Sequence, residues 1–139
     1  MSQAENQRLV EAAREARDCS LSPFSNFCVG AALETAGGKI YTGCNIESAS
    51  FGLTVCAERV AIWKALSEGE RHFVRLAVVA DTVPLTPPCG TCRQIIWEFC
   101  RDATVILANL GGDTETDEVR DLLPRAFDAR FLKEAHAEK

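Results

Sequence analysis

The stretch FVRLAVVAD (residues 73–81) constrains the fold more than any other part of the sequence. A short, continuous apolar run rich in valine is typical of a strand that is covered on both faces. A second run of this kind, TVILAN (104–109), follows a segment with a helical pattern, CGTCRQIIWEFC (89–100). The alternation of buried strands with helices predicts an α/β fold in which helices pack on a mixed sheet.

The segments on the amino-terminal side of this centre extend the pattern. Apolar residues at helical spacing predict helices over 4–18 and 56–66, and Gly69 is placed to cap the second helix. Residues 28–35 and 39–46 predict two strands, which a hairpin turn at Gly37 and Gly38 would join.

The segments on the carboxyl-terminal side complete the pattern. LGGDTETD (110–117) is interpreted as a turn, and the tail over 118–136 as one or two short helices. Because the sequence contains no linker, repeat or low-complexity stretch, we expect residues 1–139 to form a single domain with the element order αββαβαβα.

Composition limits the class of protein. Of the 139 residues 47% are hydrophobic and 25% are charged, which is typical of a globular chain. A formal net charge of −5 disfavours a nucleic-acid partner, and the apolar runs are too short for a membrane span. The charged, helical N-terminus does not resemble a signal peptide, and the seven cysteines are odd in number, so we expect reduced thiols and a cytoplasmic location.

Three of the cysteines lie at predicted helix starts. PCGTC (88–92) carries Cys89 and Cys92 in a C-x-x-C spacing, which occurs in redox motifs and as half of a zinc site. Cys56 adds a third thiol at the start of the other helix, and helix N-termini favour thiolates. Three thiolates suit Zn²⁺ and leave its fourth position open for water, which is the arrangement of a catalytic zinc.

The stretch TVCAERV (54–60) places Glu58 two residues beyond Cys56. If Cys56 binds a metal, Glu58 can carry protons for the water there; without a metal, the same pattern describes a buried cysteine and a surface glutamate. Three thiolates leave the metal site with a net negative charge. Arg59 and Arg93 could offset that charge by hydrogen bonding to the sulfurs, although either could be a solvated helix charge.

The two cysteine motifs, CAER and PCGTCRQ, resemble the signature of the zinc-dependent cytidine deaminase family. Three further stretches are similar to segments of the small homotetrameric members of that family: PFSNFCVGAAL, GCNIESAS and LLPRAF. The resemblance therefore extends over nearly the whole chain. It implies a three-layer αβα sandwich with a mixed central sheet of about five strands.

The resemblance also implies roles for individual residues. Cys56, Cys89 and Cys92 would hold one zinc ion per subunit, and Glu58 would shuttle protons. The remaining implied contacts are with substrate: Phe27 against the pyrimidine ring, Asn45 and Glu47 at the ribose 3′-hydroxyl, the Ala57 backbone at the base edge, and Phe127 from a neighbouring subunit of a homotetramer.

Three positions depart from the common family pattern. Phe24 and Phe51 stand where tyrosine is frequent, and Pro87 stands where serine is frequent before the PCG motif. The first two remove hydroxyl groups near the contact between subunits, and the third removes a hydroxyl and an N–H. These changes bear on pocket shape and substrate range and leave the metal motif intact.

The function hypothesis is hydrolytic deamination of cytidine and 2′-deoxycytidine to uridine and 2′-deoxyuridine with release of ammonia, in pyrimidine salvage, using zinc-activated water and the Glu58 shuttle. Alternatives are a deaminase for N4-substituted or modified cytosine nucleosides, a blasticidin-type enzyme, and a nucleic-acid editor. GCNIES favours a free nucleoside with a 3′-hydroxyl. A non-enzymatic zinc module would need a fourth protein ligand, and neither His72 nor His136 has ligand spacing with the cysteines.

Overall fold

The computed structural model describes the backbone of residues 2–137 and the side chains of residues 3–134. Ten helices and strands follow one another, with a 3₁₀ turn over Phe51–Leu53. Their bounds are α1 Ser2–Arg17, β1 Val29–Thr35, β2 Ile40–Cys44, α2 Ala57–Ser67, β3 Phe73–Ala80, α3 Gly90–Phe99, β4 Thr104–Ala108, β5 Thr114–Glu118, α4 Val119–Leu122 and α5 Ala129–Ala137.

The five strands form one sheet in the order β2-β1-β3-β4-β5. Strand β3 lies at its centre, antiparallel to β1 and parallel to β4, and the two outer pairs are antiparallel. The mixed, five-stranded sheet that the resemblance implied is therefore confirmed. Strand β3, which comes from the apolar run at 73–81, therefore has a neighbouring strand on each side.

Helices cover both faces of the sheet. Leu9 and Ala13 of α1 pack with Ala77 and Val79 on one face, whereas Leu76 and Val78 belong to the core under α2 and α3 on the other. Alternate residues of β3 thus point into different layers, as the period of two in a strand requires. This arrangement is the predicted three-layer αβα sandwich.

Two glycines permit close approach between the layers. A Cβ on Gly30 would lie 2.0 Å from the carbonyl oxygen of Ala13, and a Cβ on Gly43 would lie 2.5 Å from the carbonyl oxygen of Ala57. A side chain at either position would force a helix away from the sheet. The contact at Gly43 matters for function, because it seats the first turn of α2 directly on β2.

Strand β5 corrects the interpretation of 110–117 as a turn. Residues 114–118 (TETDE) form an edge strand, paired antiparallel with β4, and most of it is exposed. It carries no alternation of apolar and polar residues, so hydrophobic patterning could not reveal it. Its pairing depends on the backbone groups that β4 presents.

None of the helices in the described part of the chain has the length and apolar character that a membrane span requires.

Candidate active site

The three thiols expected to bind metal lie together at the starts of two helices. Cys56 is the N-cap residue of α2, Cys89 is the N-cap residue of α3, and Cys92 lies in the first turn of α3. Their Sγ atoms all lie within 4.8 Å of one another. The Cys56 and Cys89 sulfurs are 3.8 Å apart.

This donor set fits a tetrahedral cation. With a zinc–sulfur bond of about 2.3 Å, two sulfurs of a tetrahedral site lie about 3.8 Å apart. The separation of the Cys56 and Cys89 sulfurs matches that value. Within the described residues the cluster contains three ligand atoms and no fourth from histidine, cysteine or a carboxylate, so a closed, four-ligand structural site receives no support.

The pKa values of two thiols in the metal-free cluster shift in opposite directions. Hydrogen bonding from Cys92, together with contacts to Arg59 and Cys89, outweighs burial and lowers the pKa of Cys56 to about 5. The same hydrogen bond to Cys56, together with burial, raises the pKa of Cys92. Cation binding must therefore displace the Cys92 proton, because the thiolate is the metal ligand.

Only one of the two arginines considered above contacts a sulfur. Nη2 of Arg59 lies 3.5 Å from the Cys56 sulfur and 3.5 Å from the Thr54 carbonyl oxygen. Arg93 instead donates to the carbonyl oxygens of Pro88, at 2.8 Å, and Leu122, at 2.9 Å. Arg59 is thus placed to offset thiolate charge, whereas Arg93 ties the start of α3 to the end of α4.

Glu58 lies in the first turn of α2, and 4% of its surface is exposed. Burial, reinforced by the negative charge of Cys56, raises the pKa of Glu58 to about 7. A carboxyl that titrates near neutral pH can both accept and donate a proton under working conditions, as a general base and acid must.

We expect Glu58→Gln to stabilise the metal-free protein at high pH. The folded-state pKa of about 7 exceeds the value of 4.5 for a free glutamate, so the folded state holds more protons between these pH values. Glu58 therefore costs little stability below pH 4.5 and up to about 3 kcal/mol above pH 7. Urea unfolding of both metal-free proteins at pH 4.5 and pH 8 measures this. An equal difference at both pH values would contradict the assignment.

A cavity of about 310 Å³ opens beside the thiol cluster. Cys56, Cys89 and Glu58 lie at its lining, and so do four residues expected to contact substrate: Phe27, Asn45, Glu47 and Ala57. The volume is at the lower end of the range for small-molecule sites. The fold thus brings the expected acid–base residue, two thiols and the expected substrate contacts around one small cavity.

The amide of Asn45 is largely engaged by the chain itself. Its Oδ1 accepts hydrogen bonds from the Ser20 hydroxyl at 2.6 Å and the Val29 N–H at 2.9 Å, and its Nδ2 donates to the Phe27 carbonyl at 2.7 Å. One N–H of the amide remains, so toward a ligand Asn45 can donate and cannot readily accept.

Glu47 supplies the complementary acceptor. Its carboxylate accepts hydrogen bonds from the N–H groups of Phe24 and Ser25, at 3.0 and 3.1 Å, and from the Ser25 hydroxyl. The Ser25 hydroxyl is the main cause that lowers the pKa of Glu47, which keeps this carboxylate ionised. A ligand hydroxyl can thus accept from Asn45 and donate to Glu47.

Residues 3–108 match the family model described as the cytidine and deoxycytidylate deaminase zinc-binding region. The chain belongs to this deaminase family. The matched region is a zinc-binding one, so the cation that the cluster of three thiols fits is zinc.

Relatives at high identity extend over nearly the whole deaminase chain. A cytidine deaminase of Halalkalibacterium halodurans is 49% identical over 94% of this chain and 99% of the relative. The chain is also similar to a Sporosarcina psychrophila cytidine deaminase, at 48% identity over 93% and 96% of the two chains. A solved cytidine deaminase from Burkholderia pseudomallei superposes with a TM-score of 0.85 at 47% identity, covering 87% of this chain and 98% of that one. A blasticidin-S deaminase of Bacillus cereus is 30% identical over 71% of this chain and 76% of the relative.

Sequence reasoning missed several cavity residues of this deaminase. Ser25, Thr54, Val78 and Thr86 line the cavity beside the expected contacts. Ser25 had a recognisable sign, because it lies two residues before Phe27 in a turn-rich segment and its hydroxyl accepts the Phe27 N–H at 3.0 Å. Thr54 lies two residues before Cys56, in the stretch TVCAERV, whereas Val78 and Thr86 come from other segments and carry no local sign of a site.

The aromatic residues that depart from the family pattern lie next to this cavity. Phe24 and Phe51 meet edge to face with their ring centres 6.0 Å apart, and with Glu47 they line an adjoining hollow. Pro87 lines the cavity itself. Phe127 does not line it: its ring is 56% exposed and stacks on Phe131, so in this deaminase it contributes nothing to the cavity of its own subunit.

Proposed function

We propose that this protein catalyses the hydrolytic deamination of cytidine and 2′-deoxycytidine to uridine and 2′-deoxyuridine, with release of ammonia, as a step of pyrimidine salvage. One observation carries the proposal: a buried carboxyl, Glu58, and two of the three clustered thiols line a cavity that also has a donor and acceptor pair, Asn45 and Glu47, at its lining. The high identity to named cytidine deaminases supports the choice of substrate.

Zinc bound by Cys56, Cys89 and Cys92 would supply a Lewis acid that makes water a nucleophile at neutral pH. The chain's own part in the reaction is proton transfer by Glu58. Its carboxylate takes a proton from the attacking water and delivers it to ring N3 as the new bond forms at C4. A second proton, from the hydroxyl now on C4, passes through the same carboxyl to the amino group, and the C4–N bond breaks as the C4 carbonyl forms, so that ammonia leaves. Burial suits Glu58 to both roles, since its raised pKa makes the protonated form accessible at neutral pH.

The cavity walls orient the base for this proton transfer. Ala57 is the first residue of α2, and helix geometry leaves its backbone N–H without an intrahelical acceptor, so it can donate to the base edge. Phe27, 40% exposed at the cavity mouth, offers an aromatic face to the neutral pyrimidine ring. These contacts fix the ring with C4 toward the thiol cluster and the ribose toward Asn45 and Glu47.

The test is the loss of ultraviolet absorbance with a panel of substrates. Cytidine and 2′-deoxycytidine are expected to be converted, and cytosine-containing oligonucleotides are expected to remain unchanged. Conversion of N4-methylcytidine or blasticidin S in preference to cytidine would replace this proposal with the alternative deaminase activities. Failure to convert any of them would overturn it.

Glu47→Gln is expected to remove discrimination at the ribose 3′-hydroxyl. A hydrogen bond to a charged acceptor contributes about 1.5–3 kcal/mol, so the wild type should show a kcat/KM about 10- to 100-fold lower for 3′-deoxycytidine than for cytidine. In Glu47→Gln the two substrates should differ by less than about threefold. The substrate comparison controls for any change in the loop held by Glu47. Undiminished discrimination in the variant would exclude Glu47 from this contact.

We further propose a homotetramer that works in the cytoplasm, a reducing compartment that suits a site built from thiols. Large apolar side chains stand exposed beside the cavity, including Phe51 and Leu53, each at 75% exposure. Such a patch marks an interaction surface. Phe127 lies outside its own cavity, and in this proposal it completes the cavity of a neighbouring copy.

Mixing two defective variants tests the shared site. Phe127→Ala is expected to raise KM about tenfold, because an aromatic face is lost from the neighbouring cavity, whereas Glu58→Ala is inactive. After the two are unfolded and refolded together, some sites combine an intact Glu58 with an intact Phe127, so activity with the wild-type KM should return. Each variant refolded alone is the control. No recovery in verified mixed oligomers would show that Phe127 does not act across subunits.

A further inference from the structure

The outer face of α3 holds the carboxyl-terminal segment at successive turns. Near the start of the helix, Nη1 of Arg93 donates to the carbonyl oxygen of Leu122 at 2.9 Å. Next to it, Nε2 of Gln94 donates to the carbonyl oxygen of Phe127, also at 2.9 Å. The helix that begins with two of the three clustered thiols therefore also determines where the backbone of Phe127 lies.

Asp128, the residue after Phe127, is the main junction of this contact. It is 6% exposed, and its Oδ2 accepts from Nε1 of Trp97 at 3.1 Å and from Nη2 of Arg101 at 3.3 Å. Its Oδ1 accepts from the backbone N–H and from Nε of Arg130, at 3.0 and 2.9 Å. One buried carboxylate thus joins Trp97 of α3 and Arg101, just after α3, to the first turn of α5.

The same junction supports the ring of Phe127. Asp128 caps the start of α5 by accepting the Arg130 N–H, the pattern of an N-cap residue. The Arg130 guanidinium lies 5.4 Å from the centre of the Phe131 ring. That ring in turn stacks on Phe127, with centres 5.8 Å apart and planes at 16°. The exposed face of Phe127 is therefore held by a chain of contacts that begins at Asp128.

We propose that Asp128 is a positioning residue, which joins Trp97 of α3 and Arg101, just beyond the end of α3, to Arg130 of α5 and so fixes the direction in which the Phe127 ring projects toward a second copy. This inference rests on the proposed role of Phe127 in a neighbouring cavity. Asp128 itself touches no substrate. Its effect on the reaction passes through the placement of one aromatic ring.

The donors that surround both oxygens of Asp128 indicate a role beyond that of a helix cap. A cap needs one oxygen facing the first turn of α5, yet the second oxygen of Asp128 also accepts from Trp97 of α3 and from Arg101, which follows α3. The Arg101 guanidinium also stacks on Trp97, 4.2 Å from the centre of its ring, which holds it in place as a donor. A carboxylate is therefore required, since an amide at this position would point a donor at other donors.

The experiment is a double-mutant cycle between Asp128→Asn and Phe127→Ala, with KM and kcat for cytidine measured on the zinc-loaded oligomer. Asp128→Asn alone is expected to raise KM about fivefold and to leave kcat within about twofold. In the Phe127→Ala background the same substitution should change KM by less than about twofold, because the ring through which it acts is gone. Glu118→Gln, which removes an exposed ion pair with Arg120, is the matched control and should leave both constants unchanged.

Trp97→Phe provides a second variant that removes the N–H donor to Asp128 and keeps an aromatic ring, although a smaller one, for Arg101. It should raise KM in the same direction, and it decides the question if Asp128→Asn does not fold. Equal factors for Asp128→Asn in both backgrounds, or a loss of oligomer in size-exclusion chromatography, would overturn the positioning role while leaving Phe127 in the site. A Phe127→Ala variant with unchanged KM would instead refute the shared cavity itself.

Discussion

Glu58→Ala is expected to lower kcat for cytidine by at least about 10²- to 10⁴-fold while the protein keeps its zinc. The size follows from the contribution of a positioned general acid–base group, and in the proposed mechanism a single carboxyl performs every proton transfer. Among the described residues that line the cavity, the one other carboxylate is that of Glu47, which is held by Phe24 and Ser25. The described residues therefore offer no substitute for Glu58.

Zinc content and turnover must be measured on the same preparation of Glu58→Ala. Metal analysis should give one zinc per chain, because the cluster of three sulfurs does not include Glu58. Glu115→Ala on the exposed edge strand is the control for loss of a carboxylate, and its kcat should equal that of the wild type. Wild-type turnover in Glu58→Ala would remove this residue from the mechanism.

Removal of Cys89, a proposed metal ligand, is expected to give the second large effect. Cys89→Ser is expected to lower zinc content from one per chain to below about 0.1 and to lower activity at least about 10³-fold, because an alcohol is a far poorer zinc ligand than a thiolate. The melting temperature should also fall, since the metal would join the starts of α2 and α3 and its binding energy is lost.

Two comparisons separate metal loss from general damage. Cys19→Ser removes an exposed thiol outside the cluster and should change neither zinc content nor activity. Chelation of the wild type should abolish activity, and added zinc should restore it, whereas Cys89→Ser should not recover. Full activity after verified removal of zinc would contradict the proposed chemistry.

Much of this molecule could be predicted from local patterns. The valine-rich run at 73–81 led to the central strand, and the helical spacing after Cys56 and Cys89 led to α2 and α3. The type of each of these elements is a local property, since it depends on which residues follow one another at a period of two or 3.6. The thiols at the helix starts, and the glutamate in the first turn of α2, could be recognised for the same reason.

The missed features share a different origin. The strand TETDE exists because β4 presents unpaired backbone groups, and nothing in its own residues announces this. Arg93 directly follows Cys92 in the sequence, so a contact with a sulfur is a reasonable expectation. In the structure it donates instead to the carbonyl oxygens of Pro88 and Leu122. Asp128 looks like a solvated residue of a polar tail until Trp97 and Arg101 are brought to it.

The amino-acid sequence by itself determined which residues can do chemistry: the three thiols, the one glutamate beside them, and the helix starts that favour thiolate. Only the tertiary structure decided that sulfurs 33 residues apart lie 3.8 Å from each other, that Glu58 is buried, and that Asn45 has a single N–H to offer. The physical reason is that donor chemistry belongs to a side chain, whereas distance and burial arise from packing α2 and α3 on one face of a common sheet.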